Sequence, residues 1–472
     1  MNIQFDEKTS KLIAEQKTVD EQDLKEKWDK LKLSLDEEFG NDKSGEMIAA
    51  LKELCATFTP DMVAWMANLY DHQIGGFYYS DSGRDNEGFL PDVESTAQAI
   101  GMLRCLGFCG EESTENLQAA LPDWFKKRMI AFVKGLQAPN GFFYHPQWGV
   151  EKTDANEPRR GRDVGMAVNA LTFLGGRPTY NTPSGVKGDG ILADGRPAPD
   201  FVSSNVEKQE HSTAITFDIP DHLTSPEKFV EYIEKLSAEY SPYYVGNALE
   251  SQATQILASE KLQKENGADF SLTAIFKEWF DARQNPNTGL WRKDDKVEYD
   301  DINGFLKIGN AYHRMKLPIP HVSEALDSIT KSLYFDNPYT VCYFLNPWYA
   351  VTTIMMNVSK FGTNCEAIAR FKDLIAEKFP ELVRITIKNM MLFKRPDGSF
   401  GMVQNRTVAT SQGMPVALEG TWDGDVNAVS CTKGVIGHIF ASIGHYGEIP
   451  LYGKADLIKF MYIIEKNAKG AL

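Results

Sequence analysis

Positive charge is in short supply in this chain. Its 472 residues carry 50 Lys and Arg against 65 Asp and Glu, a net charge of -15. Nucleic acids and anionic membrane surfaces are held by a basic footprint, so neither is expected as a partner. No run of about 18 apolar residues occurs, so no membrane span is expected. The start, Met1-Asn-Ile-Gln-Phe-Asp-Glu-Lys8, lacks the basic and apolar regions of a secretory signal, and a cytoplasmic location is expected. Cysteine is scarce, with 6 residues at scattered positions. In such a compartment they read as reduced core residues. Cys105 and Cys109 are not matched by a second pair that would complete a zinc ribbon. The pattern calls for no cofactor and no metal.

Against these absences stands a repeat. A glycine-aromatic turn is followed by a polar cluster and then by a helix rich in small residues. Its clearest copy is Gln73-Ile-Gly-Gly-Phe77 with Pro91-Asp-Val-Glu-Ser-Thr-Ala97. Related turns are Gln137-Ala-Pro-Asn-Gly-Phe-Phe143, Gln284-Asn-Pro-Asn-Thr-Gly-Leu-Trp291 and Lys394-Arg-Pro-Asp-Gly-Ser-Phe400. Length alone suggests roughly three domains, but one closed ring of repeats can absorb the whole chain.

Hydrophobic periodicity predicts six half-solvated outer helices near 60–72, 121–137, 226–240, 270–283, 320–333 and 366–393. Six more apolar, small-residue inner helices are predicted at 94–106, 163–174, 246–260, 301–314, 348–360 and 426–442. Their alternation predicts an all-α fold, an (α/α)6 toroid over 46–472; an open solenoid of helical hairpins is the competing arrangement. Residues 1–45, charged and periodic, read as a helical extension. The glycine- and proline-rich stretch 176–224 reads as a rim insertion and pocket lid.

In a toroid the inner helices point one way, so their N-termini share one mouth. Asp92, Glu94, Asp163, Glu250, Asp300, Asp301, Asp423 and Asp425 fall there. Singly, such residues are most simply helix caps. Gathered in one mouth, that many carboxylates are costly unless paired, protonated or used on a substrate. With six pairs, Asp92 and Glu94 are expected to face Asp300 and Asp301, and Glu250 to face Asp423 and Asp425. Two carboxylates across a cavity suit glycoside hydrolysis. Acid/base work is therefore assigned to Glu94, Asp300, Asp301, Asp423 and Asp425.

Arg159, Arg160 and Arg162, read as lying just ahead of the second inner helix, suit a clamp on a carboxylate, phosphate or sulfate. A solvated loop paired with nearby acids is the equal alternative. Tyr144 and His145 are candidate bases for a lyase. Trp148, Trp348 and Trp422 are placed to stack on a sugar or shield a carbocation. The aromatics of the glycine turns, Phe77, Phe143, Trp291 and Phe400, are expected to be packing plugs.

These turns resemble the repeats of the squalene-cyclase and protein-prenyltransferase toroids. Pro91-Asp-Val-Glu-Ser-Thr-Ala97 is similar to the Asp-x-Asp-Asp-Thr-Ala motif of class II terpene cyclases, with Glu94 at the catalytic acid's place and Ser95 for the last Asp. Glu298-Tyr-Asp-Asp301 keeps Asp300 centrally but lacks the Thr-Ala. The resemblance implies the toroid, with Asp300 or Glu94 as a protonating acid. A prenyltransferase-like zinc on Asp425, Cys431 and His438 is disfavoured, since seven helical residues span about 10.5 Å. The same ring is shared by many glycoside hydrolases, polysaccharide lyases and sugar epimerases. The polar mouth favours a hydrolase of oligosaccharides, uronate-bearing ones included. A terpenoid cyclase-like enzyme, a lyase and a non-catalytic binding toroid are the alternatives.

Overall fold

Helices form in this chain where an apolar stripe meets a capping residue. In the computed structural model, which describes residues 4–199, 201 and 219–470, the protein is mostly helical. The chain starts with α1 (Glu7–Phe39), α2 (Asn41–Cys55), α3 (Pro60–Asn68), α4 (Asp81–Arg84) and α5 (Val93–Leu103). Next come α6 (Ser113–Ala120), α7 (Asp123–Gly135), α8 (Gly149–Asp154) and α9 (Glu157–Leu174). After a break follow α10 (Pro226–Glu239), α11 (Pro242–Glu265), α12 (Leu272–Asp281), α13 (Tyr299–Arg314) and α14 (Val322–Ser332). The last are α15 (Cys342–Phe361), α16 (Cys365–Met391), α17 (Val426–Ser442) and α18 (Lys454–Gly470). A two-stranded hairpin, β1 (Thr410–Ser411) and β2 (Met414–Pro415), precedes α17.

All twelve predicted helices have a counterpart. Three of the inner ones start earlier than expected, at Glu157, Pro242 and Cys342. In the first two a proline at the first or second helical position makes the start, since its missing N–H has no partner to lose there. In the third, Pro347 sits inside α15 rather than ending it. No helix is expected from sequence at 454–470, yet α18 is there, packed on α1 and α3.

Six helices touch one another in sequence: α5 packs on α9, α11 on α13, α13 on α15, α15 on α17, and α17 returns to α5. A smaller contact joins α9 to α11, so each of the six meets two others. The helices between them in sequence lie against this set: α7 on α9, α12 on α11, α14 on α13 and α15, and α16 on α15. The N-terminal extension is present but is not a free arm. It continues through α2 to Cys55, and Trp28, Leu31 and Leu35 are buried against the rest, with Trp28 6.2 Å from the Phe440 ring.

The glycine-aromatic turns share one construction. An acid or amide side chain at the start of each turn accepts a backbone N–H two residues on: Asp71 from Gln73, Asn140 from Phe142, Asn285 from Asn287, Asp397 from Ser399. Such Asx turns reverse the chain. The aromatic then bridges back, as in the Tyr70–Phe77, Gln137–Phe143 and Lys394–Phe400 pairs. Phe77, Phe143, Trp291 and Phe400 are all buried. Gly398 has φ +84° and a Cβ there would lie 2.7 Å from the Met62 nitrogen, so the turn against α3 admits only glycine.

The expected rim insertion is only partly described. Its 176–199 portion is tied to the outside of α7, where the nearly buried Lys134 ammonium meets Asp189 at 2.7 Å and the Ile191 carbonyl at 2.9 Å. Residues 200 and 202–218 lie outside the described residues. The segment that covers the start of α9 is instead the β1–β2 hairpin.

Two glycines give a sign test of this packing. A Cβ on Gly246 of α11 would lie 2.6 Å from the Ile308 nitrogen of α13, whereas Gly165 of α9 has nothing within 4 Å. Gly246→Ala is expected to destabilise by ~1–3 kcal/mol through overpacking. Gly165→Ala is expected to stabilise by ~0.5–1 kcal/mol through helix propensity. Denaturant titration of both variants checks the pair of signs.

Candidate functional site

The earlier start of α9 decides the fate of the three arginines. They are not in a loop but in the first two turns of a helix whose cap is the Asn156 side chain, accepting from the Arg159 N–H at 3.1 Å. Helical periodicity then separates them. Arg159 and Arg162, three apart, share a face and reach α5; Arg160 turns away to Asp154 at 3.3 Å and to the Phe142 ring. The expected three-arginine clamp is therefore not formed.

Arg159 is wholly buried. Its guanidinium lies 2.9 Å from Glu94, 2.8 Å from Asp163 and 3.6 Å from Asp92. It also donates to the Ser411 carbonyl of the hairpin at 3.4 Å, and stacks 4.4 Å from the Trp148 ring centre. Arg162 binds the other oxygen of Glu94 at 2.5 Å and remains one-third exposed. Ser411 donates its hydroxyl to Glu94 at 3.1 Å.

Charge counting explains the protonation. Three carboxylates, Asp92, Glu94 and Asp163, face two guanidiniums. Burial pushes Glu94 up, but Arg162 and Arg159 outweigh it and hold Glu94 below its ordinary range. Asp163 takes the surplus: burial, with Asp92 and Glu94 nearby, pushes it up to about 7 against the pull of Arg159. Glu94 is thus an anion and Asp163 the proton-holding member.

The other predicted acids are occupied locally. Asp92 caps α5, accepting the Ser95 N–H at 2.9 Å and its hydroxyl at 2.6 Å. Asp425 caps α17, accepting from the Ala428 and Met402 N–H groups at 2.7 and 2.8 Å, and burial raises it to about 6. Asp301 completes a capping box with Glu298 and binds Arg292 at 2.9 Å. Asp423 accepts the Ser82 N–H at 3.1 Å. Glu250 is held by Lys307 at 3.0 Å and Arg314 at 3.1 Å, both from α13. Asp300 is exposed. The expected facing of Asp92 and Glu94 with Asp300 and Asp301, and of Glu250 with Asp423 and Asp425, is not how these side chains are engaged. Glu94 and Glu250 are each met by cations on a neighbouring helix, and Asp301 by Arg292 in the loop before α13, because an unpaired buried carboxylate is far costlier than a paired one.

The aromatic expectations divide. Trp348 is fully buried on the far side of α15, donating to the Thr386 hydroxyl of α16 at 3.0 Å. Trp148 is buried under the hairpin and donates to the Pro415 carbonyl at 3.2 Å. Both indoles are thus engaged by protein groups. Trp422 is half exposed with Arg395 4.7 Å from its ring centre. His145 is buried, hydrogen-bonded through Nε2 to the Pro91 carbonyl at 2.8 Å, and burial lowers its pKa. The Tyr144 hydroxyl donates to Asp154 at 3.0 Å. These contacts give both a structural use.

A set of polar residues at and below the helix starts bridges neighbouring helices. Gln98 of α5 donates to Asn427 of α17 at 2.8 Å. Asn346 of α15 reaches Asn303 and the Tyr299 hydroxyl of α13 at 2.5 and 3.1 Å. Thr353 of α15 donates to Asn310 of α13 at 2.8 Å. His438 of α17 meets Thr352 of α15 at 3.1 Å and stacks on Tyr349. With the Glu94–Arg162 and Glu250–Lys307 pairs, polar bridges cross five of the six helix contacts. Their spacing was readable: 94/98, 303/307/310/314, 342/346/349 and 427/431/434/438 repeat at three or four.

No set of three or more His, Cys, Asp and Glu side chains among the described residues is arranged to hold a metal ion. Two surface grooves, of about 880 and 1080 Å³, lie elsewhere, one between α2 and α16 and one beside α7 and α18. Neither includes a predicted catalytic residue. No protein-family model and no curated protein matches the chain.

The Asp163 proton yields a pH test. A folded-state pKa raised to about 7 means the group's contribution is fully present below its unfolded value and is lost as pH rises through about 7. Wild type is expected to gain stability relative to Asp163→Asn as pH falls from about 8 to about 5. The difference between the two proteins is the readout, because burial depresses His145 and His438 and these pull the wild-type curve the other way. Urea denaturation across that range checks it; a constant difference rejects the assignment.

Proposed function

We propose that this chain is an (α/α)6 toroid that acts on a carbohydrate, with a carboxylate-bearing oligosaccharide as its preferred class. The cycle of contacts among α5, α9, α11, α13, α15 and α17 supports the ring. So does the alternation with α3, α7, α10, α12, α14 and α16 along the chain.

The observation that carries the ligand class is the polar bridging between consecutive helices of that cycle. Amides, hydroxyls and paired charges on these faces suit a ligand rich in hydroxyls, which exchanges hydrogen bonds with water for hydrogen bonds with protein. An isoprenoid would need the reverse, a dry apolar lining. Glu94, at the place of a cyclase's protonating acid, is ionised between two guanidiniums and has no proton to give. The cyclase reading is correspondingly weaker.

Arg162 is the anchor for the ligand carboxylate. Its Nε and Nη2 edge is spent on Glu94, while Nη1 has no protein acceptor among the described residues and the side chain is one-third exposed. For hydrolysis, Asp300, Asp423 and Asp425 are the members of the predicted acid set left without an ion pair among the described residues; Asp425 is fully buried under two backbone N–H groups, so the acid and base roles fall to Asp300 and Asp423. A second reading, a binding toroid without turnover, is favoured by one observation: Asp92, Glu94, Asp301 and Asp425 are all capped or paired.

Calorimetric titration and product analysis with neutral and uronate-bearing oligosaccharides separate these readings. Arg162→Met is expected to weaken binding of the uronate-bearing ligand by ~10-fold or more and the neutral one little, the worth of a charged hydrogen bond. Product formation abolished by Asp300→Asn supports hydrolysis. Binding without products supports the second reading, and no saccharide binding by wild type overturns both.

A further inference from the structure

The cysteines, read from sequence as reduced core residues, include one pair whose surroundings suit redox chemistry. Helices α15 and α17 run side by side in parallel with a constant register. Leu345 lies against Gly434, with 3.3 Å from its methyl to the Cβ position of that glycine, and Tyr349 stacks on His438 with ring centres 4.4 Å apart. The offset is 89 residues in both pairs. The same offset pairs Cys342 with Cys431, one turn nearer the helix starts, and sets the two thiols side by side. Both are half-buried and both are free thiols.

The surroundings of the pair are asymmetric. Lys307 of α13 and Arg162 of α9 lie near Cys342 and act on it as cations. Cys431 faces the Asn427 amide oxygen at 4.0 Å, an acceptor, and lies near Asp425. Nearby cations favour thiolate; an acceptor and a carboxylate favour thiol. The neighbouring Cys431 draws Cys342 down, while Cys431 itself is pushed well up.

We propose that Cys342 and Cys431 form a redox-active thiol pair on the faces of α15 and α17, taking a small hydroperoxide as its oxidant. The Cys342 thiolate attacks the terminal peroxide oxygen, the O–O bond breaks, and the leaving oxygen takes a proton and departs as water or alcohol. Cys342 becomes a sulfenic acid. The Cys431 sulfur attacks the Cys342 sulfur, the S–O bond breaks, and hydroxide leaves as water with the Cys431 proton. The two thiols lose two electrons and the peroxide gains them. The product is a Cys342–Cys431 disulfide that ties α15 to α17. The inference is independent of the carbohydrate reading.

Hydrogen peroxide is the probe, used on the full-length reduced protein. Intact mass is expected to fall by two hydrogens, and peptide mapping to join Cys342 to Cys431. In Cys431→Ser the sulfenic acid should persist at Cys342 and be trapped by dimedone; in Cys342→Ser neither product should form at Cys431. A measurement on wild type needs no variant. Despite its partial burial, Cys342 should be oxidised ~10-fold or more faster than the exposed Cys365, because thiolate and not thiol reacts. A crosslink through other cysteines, or Cys342 reacting no faster than Cys365, overturns the proposal.

Discussion

A single buried guanidinium organises the region where the chain's polar chemistry is concentrated. Arg159 has no exposed surface, and a buried charge persists only when its surroundings supply compensation of good geometry. Its partners come from four places in the sequence: Asp92 and Glu94 from the start of α5, Asp163 from its own helix, Ser411 from the hairpin and Trp148 from the loop before α8. Each of these segments is held in part because Arg159 must be satisfied. The hairpin is short, with two residue pairs, and two-stranded pieces are marginal alone. Its seat over α9 rests on Arg159, on Asn156 donating to the Gln412 carbonyl at 2.8 Å, and on Trp148 donating to Pro415.

The same constraint sorts the carboxylates. Asp is a good N-cap because its side chain reaches the N–H two or three residues on, and Asp92 and Asp425 do this. Glu is one methylene longer, and Glu94 uses that reach to cross to α9. Capping and catalysis draw on the same residue types at the same positions, so a row of acids at helix starts overstates the chemistry available. What distinguishes the cases is the number of cations within reach. Asp425 has two backbone donors and burial lifts it; Glu94 has two guanidiniums and is held down.

Helix positions were legible from periodicity, and the glycine-aromatic turns were legible as architecture: Phe77, Phe143, Trp291 and Phe400 are all core residues. Helix starts were less so. Setting the start of α9 at 163 rather than 157 turned Arg159 and Arg162 into loop residues and hid the fact that both lie on one helical face. Placing α15 from 348 left Cys342 outside the helix, because Pro347 reads as a boundary while here it lies within the helix. Trp348 was misjudged for a related reason. With α15 extended backward, Trp348 projects toward α16 and not toward the polar faces. The polar residues at spacings of three and four below the starts were visible in the sequence. Those further along the helices, such as Gln98, Asn310 and Thr353, were passed over because attention to caps ends within the first turn.

The pairing of these polar residues bears on how the helices find register. Apolar packing between small-residue helices tolerates sliding, since leucines and alanines exchange neighbours at little cost. A buried amide or charge does not, because a slip of one turn leaves its donor or acceptor unpaired. Gln98 to Asn427, Asn346 to Asn303, Glu250 to Lys307 and Glu94 to Arg162 each allow one register for the helices they join. Between α15 and α17 the offset of 89 is shared by Leu345–Gly434 and Tyr349–His438, and it is this register that brings Cys342 to Cys431. The polar stripe therefore has two consequences from one cause: it fixes how neighbouring helices are aligned, and by doing so it sets reactive groups from different helices side by side.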